Sequence, residues 1–162
     1  MGETVERAQI IDQVRKLAAA NDAHILDKTM KLLHDNCQGW NWVGIYLLAE
    51  GELILGPYEG KPTDHTRIQI GVGVCGSAVS ANTNIIVDDV TKRDNYLACT
   101  LETRSEIVVL IRHEDRIVAQ FDIDSDRLAA FTKEDEQMLE ALAPLVSKRC
   151  AHEVDQLERT KA

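Results

Sequence analysis

Positive charge is scarce in this chain: 18 Lys and Arg stand against 27 Asp and Glu, for a formal net charge of −9. That balance repels phosphate backbones and anionic membrane faces, so neither nucleic acid nor a membrane surface is an expected partner. Long apolar runs are missing as well. Segments such as Ile107–Ile111 fall far short of the ~20 residues that cross a bilayer. Met1-Gly2-Glu3-Thr4 brings no basic or apolar leader region, and Glu6 stands where a myristoylation signal needs Ser or Thr. The expected location is therefore the cytoplasm. No CxxC pair and no closely spaced His pair occurs, so Cys37, Cys75, Cys99 and Cys150 form no zinc motif, and no metal is expected. Internal repeats, linkers and low-complexity segments are absent too.

What is present reads as one globular unit. With 162 residues, 44% hydrophobic and 28% charged, the chain is long enough to bury a core without staples. A single domain over 1–162 is expected, its core at about 5–150 and a charged tail at 151–162 that frays. Val5, Ala8, Ile11, Val14 and Leu17 keep helical spacing, as do Ile25, Leu26, Met30 and Leu33 after Asn21-Asp22. Trp40–Ala49 and Leu53–Tyr58 form a hairpin across Glu50-Gly51. Short strands follow near Thr66–Ile70 and Asn84–Val87, separated by the glycine-rich turn Gly71–Gly76 and a short helix at Ser77–Ala81. A polar loop at 88–102 leads to a second hairpin, Ser105–Arg112 and Arg116–Asp124. Thr132 with Asp135 and Glu136 caps a long amphipathic helix through Leu139, Leu142, Leu145 and Val146, extending toward Leu157. The expected class is α/β of the α+β kind: a central antiparallel sheet of about six strands, terminal helices on one face and a loop-covered pocket on the other.

Gly71-Val72-Gly73-Val74-Cys75-Gly76 satisfies GxGxxG, yet a dinucleotide site needs a full crossover helix that the following residues are too few to make. A tight turn using positive φ is the simpler reading. Cys75 falls directly before a short helix, where unpaired N–H groups favour a thiolate. Cys99 lies in the other long loop. Spacing alone leaves open whether the two are a redox pair or unrelated buried thiols. Asp122 and Asp124 share one face of their strand, and Glu106 opens the neighbouring strand. Either the three carboxylates crowd a pocket, raising a pKa and suiting a cationic ligand, or they sit solvated at a strand end.

Taken jointly, Trp40-Asn41-Trp42-Val43-Gly44-Ile45-Tyr46, Leu55-Gly56-Pro57-Tyr58-Glu59-Gly60-Lys61-Pro62, the glycine turn with Cys75, Ala98-Cys99, Ser105–Val109 and Asp122-Ile123-Asp124-Ser125 resemble the free methionine-(R)-sulfoxide reductases. The resemblance runs from about residue 5 to residue 150 and implies a stand-alone GAF domain. It also implies an oxidoreductase of oxidative-stress defence, cytoplasmic and homodimeric, with no cofactor beyond thioredoxin or another thiol as reductant. By the same resemblance Cys99 is the nucleophile and Cys75 the second redox cysteine. Glu106, Asp122 and Asp124 line the pocket, hold the substrate ammonium and protonate the sulfoxide, and Trp42 and Tyr46 stand near its sulfur end.

Three departures accompany the likeness. His65 occupies the place of the family's usual third cysteine, Lys92–Leu97 differs from the usual loop, and Leu110 replaces a proline. Two functions are therefore carried forward: reduction of free L-methionine-(R)-sulfoxide through a sulfenic acid and a disulfide, or a non-catalytic GAF module that senses a small molecule.

Overall fold

The computed structural model describes residues 2–93 and 102–160, with side chains from residue 7 onward. Helices α1 (Gly2–Ala19) and α2 (Ile25–Asn36) precede a hairpin of β1 (Trp42–Ala49) and β2 (Glu52–Glu59). Next come β3 (Arg67–Gln69), α3 (Gly73–Ala81), β4 (Ile85–Val87) and a one-turn 3-10 helix at Val90–Lys92. A second hairpin, β5 (Ser105–His113) and β6 (Arg116–Ser125), leads into α4 (Lys133–Thr160). All six strands join one antiparallel sheet in the order β3-β2-β1-β6-β5-β4, the sheet the sequence leads one to expect.

Both hairpins close on two residues of positive φ, Glu50-Gly51 (52° and 78°) and Glu114-Asp115 (52° and 65°). Such turns match the twist of the strands they join. His113, expected in the second loop, instead pairs with Arg116 and belongs to the strand.

The sheet is buried on both sides. Val43, Ile45, Leu47, Val109, Phe121 and Ile123 face Leu26, Met30 and Leu33 of α2 and Leu139, Leu142 and Val146 of α4. Residues of opposite parity, Trp42, Tyr46, Val108 and Leu110, lie under Val74, Cys75 and Ala78 of α3 and Ile68 of β3. Each large apolar side chain so enclosed contributes about 1.5–3 kcal/mol. α1 packs on α2 and α4, and Arg7 ties it to the start of α4 through Asp135 at 2.8 Å.

Two boundaries differ from expectation. α3 starts at Gly73 rather than Ser77, so Cys75 lies within its first turn instead of before it. Glycine chemistry explains this: Gly71 and Gly73 take φ of 91° and 65°, and a Cβ on Gly76 would sit 2.4 Å from the Gln69 carbonyl. The GxGxxG glycines thus fold the chain tightly from β3 into α3. The charged tail likewise does not fray at residue 151, since α4 runs to Thr160. Cys150, Ala151 and Val154 are buried in the helical-side core and Leu157 packs partly against it. That apolar stripe holds the last turns down while their charges face water. The Thr132 cap is present: its N–H donates to Asp135 Oδ2 at 2.8 Å, and the Asp135 N–H returns to Thr132 Oγ1 at 3.4 Å.

Candidate active site

Strand register builds the site. On the face away from α2 and α4, β1, β6 and β5 align three residues each. Trp42 pairs with Asp124 and Gly44 with Asp122, while Tyr46 stands opposite Gln120. On the other side of β6, Asp124 faces Glu106, Asp122 faces Val108 and Gln120 faces Leu110. The alternation that places Asp122 and Asp124 on one face therefore also delivers Gln120 to it. The signal for Gln120 in the sequence is its position two residues before Asp122 in the same alternation.

α3 lowers Cys75 onto this grid, its sulfur 3.9 Å from Glu106 Oε2. The Cys75 sulfur and one oxygen each of Glu106 and Asp122 lie within 4.8 Å of one another. Cys75, Glu106, Asp122 and Asp124 are all buried, so the solvated strand end does not apply. Burial pushes the Glu106 carboxyl well above its ordinary value, and the nearby Asp122 and Asp124 add to the effect. A hydrogen bond to Asp122 raises it further, against a small opposing pull from Arg93. Glu106 therefore holds its proton more tightly than an ordinary carboxyl does, in a hydrogen bond with Asp122. Chemically, this is a thiol beside a carboxyl of raised pKa, with two more carboxyl groups in the same buried cluster. It can donate a proton to an oxygen and neutralise an ammonium. The same donors could take a soft divalent ion, but an ion there would occupy the thiol and displace the shared proton.

Trp42 and Tyr46 stack at 6.2 Å between ring centroids, and Tyr58 stacks on Trp42 at 5.4 Å. Gly44 makes this possible, because a Cβ there would come within 2.4 Å of Trp42 Cη2. The sequence signal for it was a glycine inside a strand. Both aromatics spend their polar atoms on one loop: Trp42 Nε1 donates to the Lys61 carbonyl at 3.1 Å and Tyr46 Oη to the His65 carbonyl at 2.8 Å. His65 is half-buried, and it is this backbone oxygen that reaches the site's wall.

A cavity of about 420 Å³ opens against Trp42 and Asp124, lined also by Asn41, Lys61, Glu102 and Thr103. Lys61 and Glu102 form an exposed ion pair at 3.2 Å there. Cys99 lies outside the described residues, so its expected approach to Cys75 does too. Cys37 closes α2 and is half-buried, and Cys150 is fully buried in α4. Burial pushes the Cys150 thiol up to about 12, with a smaller push from Glu153, as suits a packed, inert side chain.

Comparison with known proteins follows the same line. The GAF domain family matches residues 23–149. A free methionine-R-sulfoxide reductase of Escherichia coli (strain K12) is 40% identical over 123 residues, 76% of this chain and 74% of that protein. The Saccharomyces cerevisiae protein of the same name is 42% identical over 114 residues, 68% of this chain and 63% of that protein. Among solved structures, the free methionine-R-sulfoxide reductase of Neisseria meningitidis in complex with its substrate matches with a TM-score of 0.82 at 33% identity, covering 93% of this chain and 91% of that one. This chain is a GAF domain and belongs to the family of the free methionine-R-sulfoxide reductases.

Proposed function

We propose that the chain reduces free L-methionine-(R)-sulfoxide to methionine, using its own thiols as the immediate reductant. The observation that carries this reading is the buried Cys75–Glu106–Asp122–Asp124 group, a thiol 3.9 Å from a carboxyl whose pKa burial raises, with two further buried carboxylates beside them. A free amino acid brings an ammonium that these carboxylates can hold by charge-assisted hydrogen bonds, which burial strengthens.

Cys99 attacks the sulfoxide sulfur as a thiolate while the Glu106–Asp122 pair passes a proton to the sulfoxide oxygen. The S–O bond of the substrate breaks, methionine leaves, and the oxygen remains on the cysteine as a sulfenic acid. Cys75 then attacks that sulfur, water departs, and a disulfide forms. Thioredoxin or another dithiol restores both thiols by exchange. With His65 where a third cysteine would stand, Cys75 carries the resolving step. Asp124, at the cavity wall, holds the ammonium, and Trp42 and Tyr46 flank the carbon chain and sulfur. No bound cofactor enters these steps.

A reducing cytoplasm suits such a thiol cycle and would make the protein part of the response to oxidative stress. The reading includes a homodimer, as the family resemblance implies; the cleft of about 400 Å³ on the outer side of α1 and α2 is lined by Leu17 and Leu32 among Gln13, Lys16, Lys28, Lys31 and Asp35.

The test is turnover with dithiothreitol as reductant. The R epimer of free methionine sulfoxide is reduced, the S epimer is not, and N-acetylation of the substrate abolishes the reaction because an amide cannot replace the ammonium. Cys99→Ser removes turnover. A protein that binds the sulfoxide but releases no methionine under full reduction would be a sensor instead.

A further inference from the structure

Gln120 is the one polar residue of the grid that the chemistry above leaves without a task. Its side chain is fully buried, and among the described residues neither Oε1 nor Nε2 has a hydrogen-bond partner. Burying an unpaired amide costs roughly 1–3 kcal/mol by mutational measures. A leucine or methionine in the same place would avoid that cost. The neighbours are chosen against it: Tyr46 and Leu110 flank Gln120 across the sheet, and the Tyr46 hydroxyl is already donated to the His65 carbonyl. The amide therefore looks onto the apolar, aromatic end of the site, two positions along β6 from Asp122.

Resting on the proposed reaction, we infer that Gln120 is a specificity residue whose Nε2 donates to the sulfoxide oxygen. The spacing supports the assignment. Asp124 and Gln120 stand four residues apart on β6, about 13–14 Å, a span that an extended methionine sulfoxide of about 7 Å between ammonium and oxygen fills with a hydrogen bond of about 3 Å at each end. An ammonium at Asp124, against the open cavity, directs the sulfoxide along β6 past Asp122 toward Gln120. Its oxygen then lies between the proton carried by the Glu106–Asp122 pair and the Gln120 amide. Other acceptors fit the place less well, since the carboxylate of the same ligand is repelled by Asp122 and Asp124 and is better placed near Lys61. The sulfoxide oxygen is the group that distinguishes substrate from product. A donor reserved for it favours the oxidised ligand and has nothing to hold once methionine has formed.

The test substitutes Gln120→Met, which keeps the side chain's length and removes its hydrogen bonding. Calorimetric titration of the full chain in its reduced state, with Cys99→Ser to block turnover, measures binding of L-methionine-(R)-sulfoxide and of L-methionine. Expected is an affinity for the sulfoxide about tenfold lower, an unchanged affinity for methionine, and a melting temperature equal to or above that of the parent. In the Cys99-containing protein the change falls on KM more than on kcat. Equal loss of affinity for both ligands would mean a structural role, and an unchanged preference for the sulfoxide would mean none; either result overturns the inference while leaving the reductase reading in place. If the parent binds neither ligand, the reductase reading fails and the inference with it.

Discussion

The sulfur of Cys75 lies 3.9 Å from Oε2 of Glu106, and both groups are buried beneath α3. Burial, with Asp122 and Asp124 beside it, raises the Glu106 carboxyl well above its ordinary value, so the thiol faces a group that gives up its proton less readily than a free carboxyl. That relationship links stability and chemistry to pH.

The sign of the stability effect follows from linkage. The folded chain binds the Glu106 proton more tightly than the unfolded chain, whose carboxyl titrates near 4.5. Stability from this group is complete below the unfolded value and is lost as pH rises through the raised folded value. Glu106→Gln cannot titrate, so it should flatten this component. In urea denaturation from about pH 4.5 upward, the parent should lose stability relative to the variant. Parallel curves across that window would show that Glu106 is not held protonated.

Gly44→Ala places a Cβ 2.4 Å from Trp42 Cη2 and 3.1 Å from Tyr58 Cβ. The indole has to move, at a cost of about 1–3 kcal/mol in unfolding free energy. Sulfoxide affinity should fall with it, and the tryptophan emission spectrum should shift. Adding Trp42→Phe should recover part of the lost stability, because the two substitutions share one space.

Tyr46→Phe removes the 2.8 Å hydrogen bond to the His65 carbonyl. About 1 kcal/mol of stability should go, along with the tether of the 61–65 loop. Steady-state kinetics should show a raised KM with kcat largely kept. A collapse of kcat at constant KM would instead make the phenol part of the proton path.

The Cys150 thiol, pushed up to about 12, should resist alkylation. At pH 8 only roughly one molecule in ten thousand carries the thiolate. Iodoacetamide followed by peptide mapping should leave Cys150 unmodified in the folded protein and label it once urea is added. Labelling without denaturant would contradict the packing of α4.

The strands and the carboxylate cluster were legible in the sequence because both rest on local rules. Alternation fixed that Asp122 and Asp124 share a face, and turn chemistry at Glu50-Gly51 fixed the first hairpin. What escaped depends on partners distant in the chain. The start of α3 moved to Gly73 because Gly76 packs against Gln69, an approach that no periodicity encodes. The reach of α4 toward Leu157 was readable from its apolar spacing, whereas local charge suggested fraying after Ala151; Cys150, Ala151 and Val154 meet the core and the helix runs to Thr160. The task of Trp42 and Tyr46 in pinning the loop at Lys61 and His65 required knowing where that loop lies. Gln120 shows the opposite case: its placement was readable from alternation, but that its amide has no hydrogen-bond partner among the described residues was not.

The central claim is an oxygen transfer from the sulfoxide to a thiol, and its stoichiometry tests it most directly. Fully reduced protein, freed of added reductant, is mixed with excess free L-methionine-(R)-sulfoxide, and both methionine and remaining thiols are counted. The account predicts one methionine released and two thiols lost per chain, with a Cys75–Cys99 disulfide recovered by peptide mapping. Cys75→Ser should still release one methionine but leave a sulfenic acid on Cys99. Absence of methionine, or methionine formed with every thiol intact, would contradict the account.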